Sequence, residues 1–577
     1  MSIAMRWVIF AISVCLLPVQ FPGAVSATPL TVAVGQGIAQ RLTGASVPPA
    51  VWLGGALELD SESLPDFYTR RHYAPAWINE FGLTPAADEL LEALRDSASH
   101  GLCSDDFRLP YIESLVQLER DSLVQGVLFD THYLAILDLL LSDGFFRYAH
   151  ALSGGADSVA TGQHRRKQHL SAALQEHLAN NRLAELLKEL EPQQPGYVKL
   201  RQALAELRDL SAYGGWPQIA AGPTLREGDQ SERVKGLKIR LFLGGDLDMP
   251  AAWDEPGVGA LTVAGIRNFQ ERHGLEADGV VGPLTLAEMN VPIEERIREV
   301  EVNLMRLREA PIDFGPRFIR VNIADFTLEV HERDEVVMTM SVVVGTPYRM
   351  TPTFSAQLSY LEFAPYWYVP GTILREDKLP LIRRDPGWVE RNHYELVSWQ
   401  GDPERRIDPQ QIDWSKVKFQ NFPGILRMRP GPWNPLGRVK FMFPNRYAVY
   451  LHDTNERQLF SRDERLFSSG CIRIERPLDL AQYLLDGMDG WDCEMIISAL
   501  EGAESLKVML PEKIPVHVLY WTAWVDDRQH LQFRRDIYLR DADLVETARA
   551  SRQGLGRPYP DAAPQFTADF SASERQL

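Results

Sequence analysis

Cysteine is scarce in this chain: four residues in 577, at positions 15, 103, 471 and 493. So few exclude a disulfide-stapled framework. Long apolar runs are also missing. The run nearest the start, Trp7 to Leu17, covers about 11 residues, where a membrane-crossing helix needs roughly 20, and no later segment is long and apolar enough to span. Positive charge is short as well, with 60 Lys and Arg against 78 Asp and Glu, a net formal charge of -18. Such a chain does not bind nucleic acid or an anionic membrane through bulk charge. The expected partner is neutral, zwitterionic or small.

What stands at the start is Arg6, the apolar run, then Pro and Gly and a Val25-Ser26-Ala27 ending. This pattern predicts a secretory signal peptide, residues 1–27, cleaved after Ala27, and a periplasmic protein; an uncleaved membrane anchor is the alternative. Export to an oxidising space makes thiols pair. Cys15 leaves with the leader, so the mature chain keeps Cys103, Cys471 and Cys493. An odd number leaves at least one thiol free or paired outside the chain. A free thiol in that compartment is a liability unless it works.

The length predicts several domains. Residues 28–50 mix Gly, Ala, Thr and Pro without period and read as a linker. Residues 51–230 carry repeated helical periodicity, as in AADELLEALRDSASHGL, and predict an all-α scaffold. Residues 231–292 predict three short helices separated by Gly-Gly, by a Gly274 stop and by an Asp278-Gly279 turn, with Pro283 opening the last helix. From Arg317 the period changes to two: FIRVNIADFTLEVHERDEVVMTMSVVVG reads as strand, strand, turn, strand, and FSAQLSYLEFAP continues the alternation. A β-rich unit is therefore expected over 317–545. It is interrupted at about 371–435 by a stretch rich in Pro, Arg and Trp, too long for an ordinary connection, which predicts a capping subdomain. Residues 546–577 are polar and read as a disordered tail. The expected fold is multidomain α+β.

Within the β-rich unit, YLHDT ends a strand at His452, and nineteen residues later LFSSGCIR places Cys471. A thiol attacks only as thiolate, and imidazole is the usual activator. Ser468, Ser469 and Gly470 remove bulk where backbone must approach a substrate carbonyl, and the Gly470 and Cys471 N–H groups are candidate oxyanion donors. Arg473, two residues on, shares a strand face with Cys471; a substrate carboxylate and a structural ion pair are both open to it. Tyr450 shares the face of His452, and Tyr366 and Trp367 in PYWYVP offer aromatic surface. The other histidines show no ligand spacing around this cluster, so no metal and no cofactor are expected.

His452, with Cys471 inside SSGCIR, resembles the YkuD-type L,D-transpeptidase catalytic domain. FQERHGLEADGVVGPLT resembles the three-helix peptidoglycan-binding module. The order of scaffold, module and capped catalytic domain is similar to that of the large YcbB-type periplasmic L,D-transpeptidases. Where the common motif carries a second histidine before Gly-Cys, this chain has Ser469, as the YcbB-type members do. The resemblance implies acyl transfer on peptidoglycan tetrapeptide stems: Cys471 as nucleophile, His452 as general base and acid oriented by a backbone carbonyl at Asp453, release of D-alanine, and 3-3 cross-links. It implies binding by Tyr450, Ser468, Ser469, Arg473, Trp367 and Tyr366, covalent inhibition by carbapenems, and other cell-wall synthases as partners. Water in place of the acceptor amine gives an L,D-carboxypeptidase. A papain-type peptidase places its cysteine before its histidine, against the order here, and a non-catalytic wall-binding scaffold needs no intact Cys471, His452 and Arg473.

Overall fold

The computed structural model describes residues 29–43, 50–52, 56–59, 63–126, 129–153, 163–248, 255–310, 314–333, 335–398, 405–502 and 504–544. The expected signal peptide and tail lie outside them. The chain divides into two compact units: residues up to 92 with 108–146 and 164–186, and residues 93–107 and 147–163 with everything from 187 on. No helix among the described residues is long and apolar enough to cross a membrane.

The first unit is mainly helical, with Ser63–Arg70 and Leu109–Val124 among its elements, and Leu64, Phe67, Leu137 and Leu141 lie in its interior; it is not all-α as expected, since Ala50–Trp52 pairs with Ala56–Glu58 and Ile78–Asn79 with Gly82–Leu83. A carboxylate is buried there too. Asp138 accepts from the Ala76 and Trp77 N–H groups and from the Tyr68 hydroxyl at 2.6 Å, so its oxygens are not left without donors. The segment expected as a linker differs: it contains the helix Leu30–Leu42, which buries Val34 and Ile38, one turn apart. The free N–H groups of Leu30 and Thr31 at its start are taken by the carboxylate of Glu80. Glycines at 35 and 37 lower helix propensity, and the contacts that override them come from distant sequence.

In the second unit, the three helices of the module are Arg233–Leu243, Ala260–Arg272 and Pro283–Met289. Their core also takes in Ile219 and Leu225, and Leu225 bridges to Val281, so the packed module reaches upstream of residue 231. Helix Pro195–Ala212, within the stretch read as scaffold, packs Tyr197, Leu200 and Leu204 with Val300 and Leu304 of helix Ile293–Glu309, and with Trp521 and Phe533. Helical periodicity announces an apolar face, not which partner covers it.

The main sheet of the β-rich unit has nine strands among the described residues: β1 Arg317–Asn322, β2 Thr327–Glu332, β3 Glu335–Gly345, β4 Phe354–Phe363, β5 Val439–Met442, β6 Leu451–His452, β7 Leu466–Ser468, β8 Ile472–Ile474 and β9 Leu506–Leu519. Their order is β7-β3-β8-β6-β5-β4-β9-β1-β2, and β2 also pairs with β3, so the sheet closes on itself. Alternate residues point inward. Val321, Leu328, Val342, Leu361, Phe441, Leu451 and Ile472 form one core with Leu480 and Ile496 of the helices Pro477–Leu485 and Cys493–Glu501. Each such side chain contributes about 1.5–3 kcal/mol on burial.

The insertion between β4 and β5 is a subdomain with its own sheet, ordered Arg406–Ile407, Tyr394–Val397, Ile425–Met428, Trp367–Tyr368. Its core contains Leu374, Ile382, Tyr394, Trp414, Phe422 and Leu426. The cap thus takes its first strand from upstream of residue 371, because that edge needs Trp367 and Tyr368 to pair with Met428 and Arg427.

Candidate active site

Strands β6 and β8 run parallel, with Leu451 opposite Ile472 and His452 opposite Arg473. Leu451 and Ile472 are fully buried in the closed sheet. The period of two then sends Tyr450, His452, Cys471 and Arg473 to the other face. The Ile472 N–H donates to Tyr450 O at 3.1 Å, which sets Cys471 beside Tyr450. The rings of Tyr450 and His452 meet edge to face, centroids 5.7 Å apart.

His452 is buried, and its Nδ1 lies 2.5 Å from Asp453 O. A carbonyl only accepts, so Nδ1 carries the proton and Nε2 is the basic nitrogen. The Asp453 carboxylate does not compete for the ring. One oxygen accepts from the Arg438 N–H and the other from Arg457, each at 2.9 Å. Gly437 makes this possible: its φ is +61°, and a Cβ there would fall 2.4 Å from Asp453 Cγ.

The Cys471 thiol is half-buried and unpaired with any other cysteine. It lies 3.9 Å from Ala448 O and in hydrogen-bond contact with Tyr450. No hydrogen bond joins it to His452 among the described residues; Tyr450 touches both. The turn that presents it is stapled by Ser468, which accepts from the Gly470 N–H at 3.0 Å and donates to Cys471 O at 2.5 Å. Gly470 sits at φ +114°, where a side chain is strained. This corrects two expectations. The Gly470 N–H is spent on Ser468, and Ser468 turns its hydroxyl into the loop instead of toward a ligand. The Cys471 N–H makes no hydrogen bond among the described residues.

The other expected residues are placed variously. Ser469 is exposed and accepts from Arg349 at 3.1 Å. Arg473 forms an ion pair with Glu456 and donates to Thr454 Oγ1 at 3.4 Å. Trp367 belongs to the cap, its ring 6.1 Å from Tyr394, and Tyr366 stacks under the Arg427 guanidinium at 4.1 Å. No hydrogen bond or ring contact ties either to Tyr450, His452 or Cys471 among the described residues.

Sequence reading missed Lys440. It stands on β5 directly opposite His452, its ammonium 2.7 Å from Glu362 and 5.2 Å from the Tyr450 ring centre. A lysine among apolar strand residues in RVKFMF is the signal that marked it.

Electrostatics follow from this packing. Burial, then the Arg473 charge, and more weakly Lys440, lower the His452 pKa to about 3, against the hydrogen bond to Asp453 O, which raises it. Burial pushes the Cys471 thiol up, opposed by Tyr450, Lys440 and Arg473. The resting pair is therefore thiol and neutral imidazole, not thiolate and imidazolium.

Residues 316–497 match the family described as "L,D-transpeptidase catalytic domain" (YkuD), residues 258–289 the "Putative peptidoglycan binding domain" and residues 62–204 the "Scaffold domain". A protein of Haemophilus influenzae named "Putative L,D-transpeptidase" is 34% identical over 247 residues, 43% of this chain and 49% of that one. The chain thus spans about half the length of that curated relative. Among solved structures, an L,D-transpeptidase from Stackebrandtia nassauensis is similar at 16% identity and a TM-score of 0.21, covering 52% of this chain and 97% of its own. One from Xylanimonas cellulosilytica is similar at 15% identity and a TM-score of 0.15, covering 52% and 99%.

Proposed function

We propose that this chain, whose residues 316–497 are a YkuD-type L,D-transpeptidase catalytic domain preceded by scaffold and peptidoglycan-binding domains, joins peptidoglycan stems by 3-3 cross-links through a Cys471 thioester. The observation that carries this reading is the pairing of β6 with β8, which sets a neutral imidazole, a thiol and Tyr450 on one face, beside a Cys471 N–H with no partner among the described residues. The protein acts outside the cytoplasm, on a leader-directed export route.

In the first step Cys471 attacks the carbonyl of the third stem residue, a diamino acid. A C–S bond forms, the C–N bond to D-alanine breaks, and the thiol proton passes through His452 Nε2 to the leaving amine. The Cys471 N–H, and the Tyr450 hydroxyl once it lets go of the sulfur, face the oxyanion. In the second step the side-chain amine of another stem attacks the thioester. A C–N bond replaces C–S, and the amine's proton returns to sulfur by way of His452. Asp453 acts through its carbonyl alone, fixing the tautomer. Arg473 acts through charge, keeping His452 unprotonated and lowering the cost of a thiolate. The exposed Ser469, with Tyr366 and Trp367 of the cap, is proposed to border the path of the stem.

A carbapenem takes the same route: Cys471 attacks the lactam carbonyl, the ring C–N bond opens, and the drug stays on sulfur. Intact-mass spectrometry after carbapenem treatment tests the chemistry. Wild type gains one drug mass and Cys471→Ala gains none; an unmodified wild type sinks the enzyme reading and favours a wall-binding scaffold. Incubation with a purified disaccharide tetrapeptide tests the outcome. A dimer linked through third residues supports transfer, and tripeptide alone supports an L,D-carboxypeptidase. Association with other cell-wall synthases belongs to the same proposal and is tested by co-purification.

A further inference from the structure

The loop after β3 carries Arg349, and this single guanidinium joins two parts of the catalytic domain. Its Nη1 donates to Asp377 Oδ2 at 3.2 Å and to Ser469 Oγ at 3.1 Å, and its Nη2 donates to Glu376 Oε2 at 2.9 Å. Glu376 and Asp377 belong to the cap; Ser469 belongs to the turn that presents Cys471. The acids sit on a π-helical turn, Leu374–Lys378, in which the Leu379 N–H reaches back to Leu374 O. Such turns are rare and cluster at functional sites. A cavity of about 680 Å³ is lined by Arg349 and Glu376 together with Thr346, Thr372, Phe467 and Ser469. Its walls come from both the cap and the nucleophile's turn.

The loop that holds Arg349 is itself fixed to the catalytic turn. The Thr346 N–H donates to Ser468 O at 3.0 Å, and the Thr351 hydroxyl donates to Gly470 O at 2.9 Å. The guanidinium therefore stands on a loop tied to the catalytic turn, and its ion pairs reach across to Glu376 and Asp377 of the cap.

We propose that Arg349 is a positioning residue that clamps the cap over the nucleophile's turn and thereby sets how the Cys471 acyl group divides between amine and water. This rests on the transfer reaction proposed above. The thioester has two exits. An acceptor amine forms a C–N bond, sulfur leaves with the amine's proton, and a cross-linked dimer results. Water forms a C–O bond, its proton goes to sulfur, and a free carboxyl end results. Both reach the same carbonyl, so the choice depends on how much solvent stands over it, and a cap held shut by Arg349 favours the amine.

The test is the ratio of tripeptide to dimer formed from purified disaccharide tetrapeptide, read by mass spectrometry. A ratio per turnover is independent of what share of a variant is folded. Arg349→Met is expected to raise it by about fivefold, the size a networked, part-exposed ion pair supports. Arg349→Lys recovers part of the change, since an ammonium holds one carboxylate where the planar fork spans several acceptors. Glu376→Gln with Asp377→Asn gives the same rise from the cap side. About 1 M salt, where the Debye length is about 3 Å, moves wild type toward the Met variant and leaves that variant unmoved. Equal ratios in wild type and Arg349→Met, or no response to the paired acid variants, overturn the clamp and leave transfer standing. A wild type that yields neither product overturns the transfer reading and the clamp with it.

Discussion

His452 stands directly opposite Arg473 on neighbouring parallel strands, so the imidazole faces a permanent positive charge. Burial first, and then that charge, lower the imidazole pKa to about 3. The same cation lowers the thiol, which burial otherwise raises. Both members of the pair move in one direction, so the cation changes the difference between them little and shifts the pH range over which the base is free.

Arg473→Met is expected to shift the pH profile of Cys471 reactivity to higher pH, because it removes a cation that lowers the thiol. Alkylation by iodoacetamide, a neutral reagent, isolates this from substrate binding. The reagent takes the thiolate, so the wild-type rate falls about tenfold per unit as pH drops below the thiol's titration. The variant follows the same slope with a lower rate at each pH. Lys440→Met moves the profile the same way, and by at least as much, since its charge is the larger of the two at Cys471. A profile unmoved in Arg473→Met would show that the charge does not reach the sulfur.

Stability carries the same signature. The unfolded imidazole titrates near 6.5 and the folded one near 3, so below about pH 6.5 the unfolded chain binds a proton that the folded chain refuses. His452 therefore contributes stability above that pH and loses it as pH falls toward 3, at up to about 1.4 kcal/mol per unit. The melting temperature of His452→Gln is expected to fall less steeply over that window than that of wild type. Parallel curves would contradict a buried neutral ring.

Gly437→Ala is expected to disturb the active site without touching it. The new Cβ meets the Asp453 carboxylate and occupies a left-handed φ, a strain of about 1–3 kcal/mol. Asp453 shifts, and the carbonyl that orients His452 shifts with it. Slower carbapenem acylation with a lower urea midpoint is the expected pair of results; a change in the midpoint alone would uncouple the two residues.

Ser468→Ala removes a hydroxyl that bridges the Gly470 N–H and Cys471 O. The expected cost is about 1–3 kcal/mol, from a buried donor left unmet, with slower alkylation of Cys471. Ser469→Ala, at an exposed hydroxyl, is expected to cost under about 0.5 kcal/mol. Equal effects at both positions would contradict the staple.

Much of the architecture was legible because periodicity survives without knowledge of partners. The alternation in TLEVHE, and the helical stripes of the module, mark which faces are buried. The helix Leu30–Leu42 was not legible, since its glycines weaken the local signal and Val34 and Ile38 find their cover only in the folded unit. The partners of Pro195–Ala212 were not legible for a related reason: it has an apolar face like the helices before it, and Trp521 and Phe533, far along the chain, meet it.

By itself the sequence determined the chemistry available to this protein. A histidine closing an apolar strand and a cysteine after Ser-Ser-Gly supply an imidazole and a sulfur nucleophile, because residue type fixes what can ionise and what can attack. Tertiary structure decided the electrical state and the reach of those groups. Strand pairing brings Arg473 and Lys440 against His452, a tight turn spends the Gly470 N–H on Ser468, and the packing of the cap carries Glu376 and Asp377 across to Arg349. Charge and hydrogen bonding act through space, and distances in space are set by the fold.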